Sequence, residues 1–594
     1  MKPMLPLGIL VLTSFTTATS DSYSNTTRYN CHAGDSCWPS QNEWSSFNSS
    51  LSGNLRRTIP FAASCYYDSP YYDPPTCEEV AKASIYTDNQ ARTDVYGAAT
   101  GLNWEANGDE TCALNIFQNS SVLSDECYMG RLSSLYVDAH KAEHVTTAIK
   151  FARLHNLRVS IKNTGHDYFG RSTSSQTLAI WIHNLKSMSY YANFTAHSCS
   201  AANGQNIGEM GAGAQAADLY KYFQKFDMDV TGGNEGSVGL AGGFGQGGGH
   251  GVFGPSYGLM VDNAVEFDVV TADGELRTIN KCQDPDLFWA MRGGGGGTFG
   301  VLINYRFQLH PAVKINVYSA KTTFMSGNND AVTSNHSVLR GILTQHATHQ
   351  KLWSHNNVSG HAYYWPNRAE LYLVLPSNDE TALKTLTNNF SSYLTNQKDI
   401  NVTENTYTTY NRYTDYLNLT EAIAAVVTPG GYFGTYASRL MPRSLFESEQ
   451  SVTKLVDAVL KGVRLGNNLI SKDFAVTQVI MTTPVNHQNG NQTSVNPAWR
   501  PALWHLLFTG GWTNKLSDST ERTLIQKWLD TVKPVKMLTP GGGCYLNEGH
   551  YLEPEWQETF FGSNYPELLR IKKKYDPSHF FDCFKCVGWE QGSE

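Results

Sequence analysis

Residues 232–258 read GGNEGSVGLAGGFGQGGGHGVFGPSYG, with glycine in nearly every second place. Ordering a glycine costs about 0.5–1 kcal/mol relative to alanine, so packing alone does not account for this density. A flexible linker is argued against by the apolar residues woven through it, Val238, Leu240, Phe244, Val252 and Phe253. The remaining reading is a main chain that has to come close to something. Successive amides freed by glycine form a concavity suited to an anion such as a phosphate. Neither common nucleotide loop fits: Gly242-Gly243-Phe244-Gly245 is not followed by a clean helical pattern, and no Gly-Lys-Ser/Thr is present.

Two loops of similar texture flank this stretch. Upstream, 162–171 reads KNTGHDYFGR and sets His166 between Gly165 and Asp167, just after the apolar run 157–161. Taken alone, a Gly-His-Asp of this kind reads first as a turn histidine that caps a strand end. Downstream, 286–302 reads DLFWAMRGGGGGTFGVL, a helix stopped by five glycines. The periodicity around these loops predicts a strand at 135–137, an amphipathic helix at 142–155 and a strand at 157–161. The histidine loop thus leaves a strand-helix-strand unit at a strand end, where ligands of α/β units collect. Further on, a strand is predicted at 178–182, a helix at 214–226, and a hairpin over 262–275 turning at Asp273-Gly274.

The chain has 594 residues, a length that calls for two domains or one large domain with an insertion. Its net charge of -8, without a basic stripe, argues against nucleic-acid binding. The first 20 residues have an early Lys2, an apolar centre and a small-residue exit at Ala18-Thr19-Ser20, which reads as a secretory signal. No later apolar run is long enough for a span, so no membrane association of the mature form is expected. Asn-x-Ser/Thr sequons at Asn25, Asn48, Asn119, Asn193, Asn335, Asn357, Asn389, Asn401, Asn418 and Asn491 predict N-linked glycans as surface partners. Eleven cysteines, with Cys31, Cys37, Cys65, Cys77 and Cys112 clustered early, predict a disulfide-tied, loop-rich N-terminal region, and the odd count leaves at least one thiol unpaired. Cys583 and Cys586 have no second CxxC beside them, so they read as a terminal disulfide or as two separate pairings, and no metal site is assigned.

Taken together, 162–172 (KNTGHDYFGRS), 238–263 (VGLAGGFGQGGGHGVFGPSYGLMVDN), 286–301 (DLFWAMRGGGGGTFGV), Tyr545-Leu546-Asn547, 560–565 (FFGSNY) and 574–577 (KYDP) resemble the berberine-bridge-enzyme-like flavoproteins. Within these the chain is most similar to the fungal branch labelled isoamyl-alcohol oxidase. The resemblance implies an α+β fold, with a two-part PCMH-type (vanillyl-alcohol-oxidase-type) FAD-binding domain and an inserted antiparallel-sheet substrate domain. The implied boundaries are a signal peptide at 1–20, a disulfide-tied region at 21–125, the FAD-binding domain at 126–310, the substrate domain at 311–540, and a segment at 541–594 that returns to the FAD domain. Within the insertion, strands are predicted at 369–375, 473–482 and 503–508 and a helix at 451–465, and 566–575 reads as a basic helix.

The resemblance also assigns roles. His166 matches the histidine that family members join to the 8α-methyl carbon of FAD, chemistry open to a neutral imidazole nitrogen. Many relatives carry a second link from a cysteine, whose place falls here at about 235–237, where there is none, so a single covalent bond is expected. A second departure is Phe244, where plant-type members often have histidine. The amides of Asn163, Thr164, Gly165 and Asp167 are expected to cradle the pyrophosphate. Gly242, Gly243, Gly247, Gly248 and Asn263 are expected to line the FAD channel, and Asn547 to meet the isoalloxazine on the returning strand. Tyr545 is the candidate catalytic base, with Tyr432, Tyr436 and His550 as further candidates. The implied activity is a secreted FAD-dependent oxidase that takes a hydride from a small-molecule alcohol, a secondary metabolite or a carbohydrate, and passes electrons to O2. Oxidative cyclisation or desaturation is the alternative, and a non-catalytic glycoprotein that keeps the fold is the remote one.

Overall fold

The computed structural model of the chain describes residues 31–85, 89–99, 112–115, 121–122, 126–200, 204–324, 337–427, 433–470, 474–487, 492–512 and 516–590. The leader at 1–20, the sequons at Asn25, Asn119, Asn335 and Asn491, and Tyr432 lie outside the described residues. The fold is α+β and is organised around three larger sheets.

The predicted strand-helix-strand unit is present. Strand Leu135–Asp138, helix Ala142–Leu154 and strand Val159–Lys162 follow one another, and both strands pair in parallel with strand Leu178–Trp181 between them. The helix buries Val145, Ala148, Ile149 and Ala152, the apolar stripe that its period demands. Strand Leu55–Arg57 closes the other edge, antiparallel to Leu135–Asp138. The early region therefore contributes more than loops, with helices Gln41–Ser50 and Pro74–Ile85 as well as a sheet strand. Its short, polar segments lack the periodicity that would have exposed these elements.

A five-stranded antiparallel sheet follows, in the order Leu276–Asn280, Ala264–Val270, Val301–Gln308, Gly204–Gly211, Met188–Phe194. Its first pair is the hairpin predicted at Asp273-Gly274. The interval 311–540 holds a seven-stranded antiparallel sheet whose middle is Arg368–Pro376, Ser359–Trp365, Ala475–Ile480 and Ala502–Trp512, with Phe433–Pro442 at one edge. Helices Ser337–His355 and Glu449–Leu469 pack with this sheet in one apolar cluster.

Downstream, helix Tyr565–Tyr575 docks beside helix Pro285–Met291: Lys574 pairs with Asp286 at 2.7 Å and the Tyr575 hydroxyl donates to the same carboxylate at 2.9 Å. Lys572, fully buried, pairs with Asp576 at 2.7 Å and donates to the carbonyls of Thr298 and Phe581. Such a pair holds only because its remaining hydrogen bonds are also made. Five disulfides join Cys31 to Cys37, Cys65 to Cys77, Cys112 to Cys127, Cys199 to Cys282 and Cys583 to Cys586, and Cys544 is the buried thiol left over.

Candidate active site

The three glycine-bearing loops meet. A side chain on Gly239 would lie 2.5 Å from the Asn163 amide nitrogen, and one on Gly296 would lie 3.1 Å from the backbone of Gly243. Glycine is therefore required for the loops to touch, and together they wall one side of a cavity of about 700 Å³ that also takes in residues of the seven-stranded sheet.

On the loop side, Asn163, Thr164, Gly165, His166, Asp167, Gly242 and Gly243 all line the cavity. The amides of Thr164, Gly165, His166 and Asp167 donate to no protein acceptor among the described residues. Gly165 is in the left-handed region at φ +90°, which turns successive amides to one side. Lys162 fixes the base of the loop, with its buried ammonium donating to the carbonyls of Val95, Tyr96 and Ala98 from the early region. Asp167 accepts from the Phe169 and Arg171 amides and pairs with the Arg171 guanidinium, closing the far end. Two of the expected channel glycines act one step back. Gly247 leaves room for Asn547, and Gly248 for the Tyr545 ring, where side chains would approach to 2.9 and 3.0 Å. Asn263 is not a lining residue: its amide donates to the Tyr257 and Leu259 carbonyls and its oxygen meets His310, so it caps a turn.

These features fit an FAD. The unpaired amides would suit a phosphate, the buried Asn163 Oδ1 has no hydrogen-bond partner, and the glycine wall supplies a slot free of side chains. His166 stands in this wall, and burial holds its imidazole down at about 4, so the ring is neutral at ordinary pH. Its Nε2 lies 2.8 Å from Ser237 Oγ. The Ser237 hydroxyl in turn donates to Glu235 Oε1 at 2.8 Å.

The facing wall is made by alternate residues of the seven-stranded sheet. His361 is registered opposite Tyr372 on one neighbouring strand and Ile480 on the other, and Ile480 opposite His505. One step along, Tyr363 faces Gln478 and Gln478 faces Leu507. Of these, His361, Tyr363, Tyr372, Gln478, Ile480 and Leu507 line the cavity, joined by Tyr416 and by Tyr436, which stacks on Tyr168 at 4.4 Å.

Between the walls lies a cluster of ionisable groups that sequence reasoning missed. Glu548 accepts from His505 Nε2 at 2.7 Å and approaches His250 Nε2 at 3.3 Å, while His250 Nδ1 lies 2.8 Å from Thr482 Oγ1. Burial alone would raise the Glu548 carboxyl, but the two histidines outweigh it and hold the group well below the usual carboxylate range. His361 is driven down to about 3, chiefly by burial. A signal was available: among residues 232–258 there is one acid and one histidine, Glu235 and His250, and both line the cavity.

Tyr545 sits beside this cluster rather than on a returning strand, since 546–548 form a short helical turn. Its oxygen accepts from the Gly249 amide at 3.2 Å and the Asn547 side chain at 2.7 Å, and Asn547 also donates to the Gly243 carbonyl. Burial, aided by the Glu548 charge, pushes the phenol up from its ordinary value. A phenol this hard to ionise serves poorly as a proton acceptor. His550 lies away from the cavity lining, with Nε2 2.9 Å from the Ile525 carbonyl and Nδ1 accepting from the Leu552 amide.

Comparison with known proteins agrees with this geometry. Residues 133–280 match the model of the FAD binding domain, and 544–585 the model described as berberine and berberine like. The chain is 33% identical to FAD-linked oxidoreductase ZEB1 of Gibberella zeae over 94% of this chain and 92% of that protein. It is 32% identical to VAO-type flavoprotein oxidase VAO615 of Thermothelomyces thermophilus, with the same coverage. The crystal structure of VAO-type flavoprotein MtVAO713 from Myceliophthora thermophila C1 superposes with a TM-score of 0.82 at 25% identity, covering 94% of this chain and 96% of that one. Fold and cavity define an FAD-dependent oxidoreductase. The chain belongs to the family of VAO-type and berberine-bridge-like flavoproteins.

Proposed function

We propose that this protein is a secreted oxidase that removes a hydride from a substrate alcohol, a secondary metabolite or a carbohydrate, with its FAD attached through His166 and O2 as electron acceptor. The observation that carries this reading is one shared cavity, walled on one side by the unpaired amides and His166 and on the other by polar and aromatic side chains of the sheet. The five disulfides favour an oxidising compartment, and Asn193, Asn389, Asn401 and Asn418 are exposed, as glycan acceptors must be. The same reading gives residues 126–310 with 541–594 to the cofactor and 311–540 to the substrate.

Bound flavin supplies the hydride acceptor and the onward reaction with O2. The residues of this chain bind, orient and move the proton. The amides of 164–167 hold the pyrophosphate, and Asn547 locks the glycine wall. His361, Tyr363 and Gln478 offer hydrogen bonds to a hydroxylated substrate, while Ile480 and Leu507 cover its apolar part. The substrate hydroxyl proton passes to the His250–Glu548–His505 cluster, which borders the cavity through His250 and Glu548. Tyr545, kept protonated, orients the substrate oxygen.

The test is a peroxide-release screen over alcohols, sugars and polyketide alcohols, run with in-gel flavin fluorescence on wild type and His166→Ala. Peroxide from an alcohol, with a fluorescent band lost in the variant, is the expected result. Ring closure without alcohol oxidation would replace it with the cyclase reading.

A further inference from the structure

Ser237 has one hydroxyl hydrogen, and the structure commits it to Glu235 Oε1 at 2.8 Å; Glu235 also receives the Ser237 amide at 3.4 Å. Ser237 itself is fixed from behind, because the buried Gln215 side chain donates to its carbonyl at 2.9 Å. Toward His166, then, Ser237 Oγ has only lone pairs to offer. The 2.8 Å contact requires the proton to reside on His166 Nε2. In a neutral ring this leaves Nδ1 bare, and Nδ1 has no hydrogen-bond partner among the described residues while the ring borders the cavity.

We propose that Glu235 and Ser237 are positioning residues for covalent flavin attachment: they select the His166 tautomer whose Nδ1 is the nucleophile, and they carry away the Nε2 proton once Nδ1 is alkylated. This rests on the histidyl link proposed above. The step balances as follows. Nδ1 supplies the electron pair of the new N–C bond to the 8α carbon, and that carbon gives up one hydrogen as a proton. The electron pair of the broken C–H bond stays on the flavin ring, and O2 then takes it up with two protons to give H2O2. Alkylation leaves the imidazole cationic, and its Nε2 proton moves to Ser237 Oγ as the Ser237 hydroxyl proton moves to Glu235. Serine in this place is thereby more than a missing second link. It is the middle of a relay that a side chain without a hydroxyl would break.

The chain, produced in a riboflavin-auxotrophic host and given FAD afterwards, allows attachment to be timed by acid-stable fluorescence and mass increase, and binding to be read as total flavin per protein. Ser237→Ala and Glu235→Gln are expected to bind FAD as the wild type does and to attach it at least about a hundredfold more slowly, the lower end of the range for loss of a positioned proton acceptor. Ser237→Thr, which keeps the hydroxyl, should restore the rate, and hydrolysis of the wild type should release the Nδ1 isomer of flavinyl-histidine. Wild-type attachment rates in both variants, or the Nε2 isomer from the wild type, would overturn the relay and leave the histidyl link standing. A wild type that binds FAD without ever making it acid-stable would overturn the link itself.

Discussion

On one side of the cavity the wall is main chain: Gly239, Gly242 and Gly296 stand where a side chain would press on a neighbouring loop, and the exposed groups are amides. On the other side the wall is side chains, placed by the two-residue alternation of four strands, and the backbone there is fully engaged in the ladder. A wall of the first kind suits a phosphate and a flat ring, and leaves little room for substitution. The second can change one residue at a time without disturbing the sheet. On the function proposed above, cofactor binding and substrate choice fall to different walls, and each can be perturbed alone.

The largest effect is expected between the walls. Glu548→Gln should lower kcat by about a hundredfold, as removal of a positioned proton acceptor does, with flavin content unchanged; rapid-mixing reduction of the flavin measures it. If reduction proceeds at the wild-type rate, the proton goes elsewhere. On the main-chain wall, Gly251→Ala would bring its Cβ to 1.8 Å from the Gly232 carbonyl oxygen. A clash of that kind should cut the flavin-to-protein absorbance ratio about tenfold, a shift of about 1.4 kcal/mol. On the sheet wall, Leu507→Ala should leave that ratio intact and raise KM by about tenfold for a substrate with an apolar part, within the 1–3 kcal/mol range of a pocket contact. Loss of flavin from this variant would erase the distinction between the walls.

The smallest effect concerns pH. Because the Glu548 carboxyl is held below its ordinary value, near about 4.3, its ionised form stabilises the fold above that pH, and the contribution fades as pH falls further. The difference in melting temperature between wild type and Glu548→Gln should therefore be present at pH 7 and shrink toward pH 3.

The same contrast explains what could be read from the sequence. The main-chain wall was legible because glycine at such density has a physical reason, and 162–171, 232–258 and 286–302 do converge. The sheet wall was hidden, because His361, Tyr363 and Gln478 fall on ordinary alternating strands and gain meaning only through register with partners far along the chain. Glu548 was overlooked one residue beyond Asn547, since nothing local announces that His250 and His505 will flank it. Asn263 was misplaced for the converse reason: an asparagine beside glycines looks like a ligand residue until its two turn-capping bonds and its contact with His310 are seen. The early region concealed its strand because three residues, Leu55–Arg57, carry no period.

The bond from Asn547 to the Gly243 carbonyl spans 304 positions of the chain. At about 5–20 residues per second, the ribosome adds that interval in roughly 15–60 s. During this time the glycine wall exists without its lock, and the whole seven-stranded sheet is made in between. The cavity can therefore take its finished shape only after Asn547 has emerged, once every strand of that sheet has already been made.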